Sequence, residues 1–214
     1  MSMSSRSRLL SCVMTSSLLL AGGMNYAVAD DAMQKMQPRV QVRGTVDSLN
    51  GDHLTVNSRE GQKVNIELQK GWMVSGVAKA SFNDIKQGDY VGIASLPKSD
   101  GGDGALEVLI FPAQLRGANE GSFGWDLKPG SSMTNATVAN TVKSVGNRTV
   151  TVTYHGHEKK IAIPEGTPVV TLSPATAADI KPGATVFVPA QKGEGDALMA
   201  NTLIVGKNGV VPPM

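Results

Sequence analysis

Apolar and polar residues alternate with period two over most of the chain after residue 39. Val40, Val42 and Val46 alternate with Gln41, Arg43 and Thr45, the pattern of a strand with one face buried. Asn50-Gly51 follows, a type I′ hairpin signal because both central positions of that turn need positive φ. Leu54 and Val56 belong to the next strand, Glu60-Gly61 turns the chain again, and Val64, Ile66 and Leu68 make a third. A loop carrying Trp72 is expected next. After it Ser81 caps one short helical turn that Gly88 ends. Val91 and Ile93 predict a fourth strand, Asp100–Gly104 a loose hairpin, and Leu106, Val108 and Ile110 a fifth.

The same series then recurs. Thr45-Val46-Asp47-Ser48-Leu49 returns as Thr141-Val142-Lys143-Ser144-Val145, and Leu54-Thr55-Val56 as Val150-Thr151-Val152. Val64-Asn65-Ile66 returns as Ile161-Ala162-Ile163, and Asp84-Ile85-Lys86-Gln87-Gly88 as Asp179-Ile180-Lys181-Pro182-Gly183. Order is kept and spacing nearly so, and a duplicated domain explains the pattern better than chance. Five short antiparallel strands close most economically into a small barrel, which removes exposed edges. The expected fold is therefore all-β: a tandem repeat of two small five-stranded OB-like (split) barrels, over 39–112 and 137–206. A structured linker at 113–136 joins them, and 207–214 is a tail. A sandwich spanning both copies is the alternative.

The pattern R-G-T-V-x-S, then L-T-V, then S-F-x-D-I-K-x-G-D-x-V over Val42–Pro112 resembles an exported bacterial family of unknown function made of small OB-like β-barrels. Ala136–Gly206 is similar with departures: Thr141 stands where a glycine leads the pattern, and Ala184 where the first copy has Asp89. The linker and the ending Gly206–Met214 resemble a two-repeat subgroup. The resemblance implies the fold and export. It implies no catalytic residues.

The chain start reads as an export signal. Arg6 and Arg8 precede an apolar run from Leu9 to Ala21, and Ala27-Val28-Ala29 forms a small-residue cleavage site. Cleavage is expected between Ala29 and Asp30, leaving a polar tail at 30–38 and a periplasmic or secreted protein. The run is too short and interrupted for a membrane span. Processing removes Cys12, the one cysteine, so no disulfide or thiolate chemistry is expected. It also removes two of the twenty basic residues, leaving eighteen against eighteen acids. That balance offers no electrostatic case for nucleic acid.

Candidate chemistry is sparse. The linker stretch Leu115–Ala136 has neither period, yet holds Arg116, Glu120, Trp125 and Asp126 among glycines and serines. These four are the candidate ligand- or partner-binding residues. Trp125 could stack a ligand, and Arg116 could pair with Glu120; equally, Trp125 could fill an apolar gap between the barrels. His155-Gly156-His157 is the one metal-like signal, since residues two apart on a strand share a face about 7 Å apart. The same stretch fits a hairpin turn. Met33 and Met36 in the tail raise copper(I) as the alternative ion. Nucleophile-elbow, zinc-protease and phosphate-loop motifs are missing, so a non-enzyme without a cofactor is expected. Three functions remain in view: a binding or assembly protein of the bacterial envelope whose partner is an envelope protein or small ligand; a periplasmic copper- or zinc-binding protein; and a glycan-binding or glycan-processing module.

Overall fold

The computed structural model describes residues 39–144 and 147–212. The expected signal segment and tail lie outside them. Twelve strands are described: β1 (Arg39–Asn50), β2 (His53–Ser58), β3 (Lys63–Ala80), β4 (Tyr90–Pro97), β5 (Asp103–Ile110), β6 (Gly121–Gly124), β7 (Ser132–Ser144), β8 (Asn147–Tyr154), β9 (His157–Ala162), β10 (Val169–Pro174), β11 (Thr185–Lys192) and β12 (Leu198–Gly206). Only single turns of 3-10 helix interrupt them. The all-β expectation holds, and the turn after Ser81 lies where the sequence places it, at Phe82–Asp84.

Strand pairing departs from one barrel per copy. β1, β2 and β3 form an antiparallel meander, but β11 pairs with β1 and β12 runs parallel to β3, closing a five-stranded barrel. A second circuit joins β7, β8 and β9 with β4 and β5; its last contact, β5 to β9, spans two residue pairs. Each circuit thus takes three strands from one half of the sequence and two from the other. The cores follow the same division. Val42, Val46, Leu54, Val56, Ile66 and Leu68 pack with Ile180, Val186, Val188, Leu203 and Val205. Val91, Ile93 and Val108 pack with Val138, Val150, Val152, Ile161 and Ile163.

β3 makes one of the two crossings between the circuits. A loop was expected around Trp72. Instead the strand continues for eighteen residues. Gly71, at φ +81°, gives a bulge where the register with β12 jumps, and Met73–Ala80 then carry the chain on. Eight residues at about 3.3 Å each move it roughly 26 Å, so β4 meets β7 rather than β1. β10 makes the return crossing and lies antiparallel on β3, with Val77 opposite Leu172.

The two circuits repeat each other in detail. The Gly88 N–H donates to the Val138 carbonyl and the Val138 N–H to that of Asp89; Gly183, Val46 and Ala184 repeat these bonds, all at 2.8 Å. β1 bulges after Val46 and β7 after Val138. Thr137-Val138 therefore occupies the place of Thr45-Val46, a correction of four residues to the expected equivalence with Thr141-Val142. Likewise Ile161 and Ile163 stand where Ile66 and Leu68 stand, not Val64 and Ile66. The second hairpin is longer, so its tip repeats the T-V motif outside the barrel. Val138 is 1% exposed and Val142 46%.

Two of the 3-10 turns, Phe82–Asp84 and Ala177–Asp179, carry reciprocal caps. The Ser81 N–H and hydroxyl donate to the Asp84 carboxylate at 2.8 and 2.7 Å, and the Thr176 N–H donates to Asp179 at 2.9 Å. The Ser81 hydroxyl foremost, then its N–H, holds the Asp84 carboxyl below its ordinary value; for Asp179 the Thr176 N–H does most, with Lys207 helping.

Two outcomes are expected. Val138→Ala should cost about 2 kcal/mol, while Val142→Ala changes stability by under about 0.5 kcal/mol in urea titration. Because both folded-state carboxyl values are depressed, their contribution is present above about pH 4 and is lost as pH falls through the depressed values. An Asp84→Ala/Asp179→Ala variant should therefore melt some degrees below the parent at neutral pH, and the gap should close in strong acid.

Candidate functional site

The segment between β5 and β7 is a strap laid over both circuits. Its first part is a run of tight turns. Arg116 bonds back to the Ala113 carbonyl through its N–H, and Gly117 and Asn119 take positive φ. The second circuit grips these turns by their carbonyls. The Tyr90 hydroxyl donates to Ala118 O at 2.9 Å, and the Asn135 amide to Asn119 O at 3.1 Å. Tyr90 is almost fully buried and packs on Phe111, ring centres 5.5 Å apart. Burial foremost, then the nearby Glu120 charge, pushes its phenol up to about 12.

Glu120 was one candidate partner for Arg116. The two do not pair: the Glu120 carboxylate accepts the His155 backbone N–H at 2.9 Å, fastening the strap to the β8–β9 turn. Arg116 is exposed and makes no side-chain bond among the described residues. His155 and Gly156 are the two turn residues, with φ +45° and +77°, as a type I′ hairpin needs. His157 opens β9 opposite Tyr154. The two histidines therefore do not share one strand face, which corrects the metal-pair geometry. Both rings rest near Tyr154, at 6.5 and 5.8 Å. Among the described residues no three His, Asp, Glu or Cys side chains converge on a metal-sized space.

The second part of the strap reaches the first circuit. β6 pairs with β7, and the chain then loops through Trp125–Ser131. The Ser131 hydroxyl lies 2.9 Å from Trp125 O and 2.7 Å from Lys128 O, and the Trp125 N–H donates to Ser131 O. This loop seats Trp125 on Arg43 and Phe187, which are opposite each other on β1 and β11. The Arg43 guanidinium carbon lies 5.5 Å from the Trp125 ring centre and 5.2 Å from that of Phe187; the rings are 6.2 Å apart. Arg43 also donates to Asp126 at 2.7 Å, and Arg59 to the Asp126 carbonyl at 3.3 Å. Phe123 stands edge-on to Trp125 at 6.2 Å and is 41% exposed.

Trp125 and Asp126, of the four predicted residues, thus meet at one place; Glu120 anchors the strap elsewhere and Arg116 takes no part. Arg43 and Phe187 complete the cluster and were not foreseen. Arg43 sits in the polar phase of β1, where exposure is expected, yet is 8% exposed. Phe187 was the available signal: it lies between the inward Val186 and Val188, so an aromatic occupies an outward position. The ring contacts carry Trp125, because its indole N–H is buried and has no acceptor among the described residues. Aromatic pairs contribute about 0.5–1.5 kcal/mol each and a shielded guanidinium over a ring up to about 2 kcal/mol. The Asp126 carboxylate is half-exposed, so its pair adds under about 1 kcal/mol.

A second polar group lies at the mouth of the other circuit. Lys159 bonds to Asp103 at 2.7 Å, with Thr134 at 3.3 Å and Ser122 and Ser132 at 3.5 Å. The carboxylate rather than a hydroxyl is its nearest partner, which suits an ion pair and not a lysine-activated serine nucleophile.

No family model, curated protein or solved structure matches the chain.

Trp125→Ala should lower stability by about 2–3 kcal/mol in chemical denaturation. Arg43→Lys should cost less than Arg43→Ala, since it keeps the charge but loses the planar stack. Tyr90→Phe should also remove an alkaline loss of stability. The folded-state phenol value is raised, so its contribution is intact below about pH 10 and disappears as pH climbs towards 12; stability-against-pH curves for parent and variant should converge across that interval.

Proposed function

We propose that this chain is an exported, non-enzymatic binding or assembly protein of the bacterial envelope, built of two OB-like barrels that descend from a duplicated unit. In both circuits the strands run first, second, third, fifth, fourth. The third and fifth are parallel, which supports the OB-like reading. The matched glycine-turn bonds and bulges support duplication. The resemblance over Val42–Pro112 belongs to the same proposal, as does export.

One observation carries the binding reading: Phe123 is held out on a strand with one unused edge. β6 pairs with β7 alone among the described residues, and Ser122, Phe123 and Gly124 are exposed. Trp125, fixed by Arg43 and Phe187, backs the Phe123 ring. A rigid aromatic loses little entropy on binding, and aromatics dominate interface energetics. A free strand edge takes an extended segment by backbone hydrogen bonds. The partner chemistry is therefore an extended stretch of an envelope protein that places an apolar side chain on Phe123.

A photo-crosslinker at Gly124 in the exported protein tests this. A discrete adduct is expected, lost with Phe123→Ala while stability changes by under about 1 kcal/mol. The same probe at Val142 should give none. No adduct at Gly124, or one indifferent to Phe123→Ala, removes the reading.

A further inference from the structure

The strand exchange has a consequence for what this chain can associate with. The 39–110 half contributes β1–β3 to one circuit and β4–β5 to the other; the 132–212 half contributes β7–β9 and β11–β12 in the complementary way. Neither half encloses a core by itself. Leu54 and Ile66 are sealed by Val188 and Leu203, and Val150 and Ile161 by Ile93 and Val108. The crossing strands β3 and β10 lie antiparallel on each other. Val77, Leu109 and Val170 pack beside them with Phe111, Leu172, Ile204 and Val210. The same bonds recur about this centre: Gly88 with Val138, Gly183 with Val46. This is the geometry of two subunits that trade strand pairs, here within one chain.

The covalent link between the halves is not what demands the arrangement. Ile110 lies opposite Val91 and Ser132 opposite Ser95, on either side of β4. Two strand spacings and four residues of rise put these ends about 16 Å apart. The twenty-one residues 111–131 can span about 70 Å. The strap therefore acts as a tether, holding the halves at an effective concentration of order millimolar.

We propose that the two halves are complementary partners, and that a second copy of this chain is the partner their interface fits. The 132–212 half of one molecule takes the place of the other's own against 39–110, giving a reciprocally exchanged dimer. The strand pairings of both circuits and both cores are the same in monomer and dimer, so the strap, through its length and its anchors at Tyr90, Arg43 and Phe187, decides between them. The monomer prevails at micromolar protein, and exchange requires both circuits to open. The proposal stands on the strand pairing and is independent of the Phe123 surface.

The test uses the whole mature chain with Thr45→Cys and Thr185→Cys and a protease sequence in place of Lys128–Gly130, a stretch exposed on the strap. Thr45 and Thr185 face each other across β1 and β11. After folding and cutting, mild oxidation should join the two fragments covalently, and before oxidation native mass spectrometry should find them as one particle. Fragments that part as separate folded units, or thiols that stay unjoined, would show two self-contained barrels and overturn the proposal. The uncut chain is then refolded from denaturant at about 1 micromolar and about 1 millimolar. Monomer is expected at the lower concentration. At the higher, a substantial dimer fraction should carry disulfides between chains. Monomer alone at both concentrations overturns the second-copy assignment. A Phe123→Ala background should leave all these results unchanged.

Discussion

Closing a barrel requires partners for both outer strands of a sheet and cover for its apolar face, and neither half of this chain supplies both to itself. β1–β3 present a curved sheet lined by Val46, Leu54, Val56 and Ile66, open along β1 and β3. β11 and β12 cover those edges and bring Val188, Leu203 and Val205 to the same core. The reverse holds for β7–β9, which β4 and β5 complete. Stability is therefore a property of the whole chain between residues 39 and 212, and most of the buried contacts join residues far apart in sequence. Such a topology carries a high loop-closure cost before its contacts form, which slows folding.

The strap is secondary to that exchange and makes use of it. Its two ends rest on different circuits: Tyr90, Asn135 and the His155 N–H hold Ala118–Glu120, while Arg43 and Phe187 hold Trp125. The pairing of Arg43 with Phe187 exists only because β11 lies on β1. The seat for Trp125 is thus assembled from both halves of the sequence, and Phe123, which leans on Trp125, inherits its position from the exchange. The strap's anchors are mainly backbone carbonyls and ring faces rather than ion pairs, so its attachment should depend little on salt.

Much of the local structure was readable in advance. The Val42, Val46, Leu54, Val56 and Ile66 alternation, the Asn50-Gly51 turn and the caps at Ser81 are local devices whose causes lie within a few residues. The repeat register was read incorrectly at Val142 because Thr-Val occurs twice in β7, and only pairing with Val152 identifies Val138 as the inward one. A loop was expected at Trp72, but parallel pairing with β12 on either side of Gly71 keeps β3 extended. Of the linker residues, Trp125 was legible as a large aromatic among glycines and serines. Its partners were not, since Arg43 and Phe187 look like ordinary outward positions until the strap covers them.

The amino-acid order alone determined the strand content, the hairpins, the recurring turn motifs and the near balance of charge, because period-two burial, turn chemistry and composition are local properties. Tertiary structure decided which strands close which circuit. On local grounds the choice is degenerate: β4–β5 and β11–β12 carry the same glycine turn and similar inward side chains, so either pair could complete either three-stranded sheet. The two crossings, by β3 and by β10, settle it, and the place of Trp125 and Phe123 follows from them, since Arg43 meets Phe187 only where β11 lies on β1.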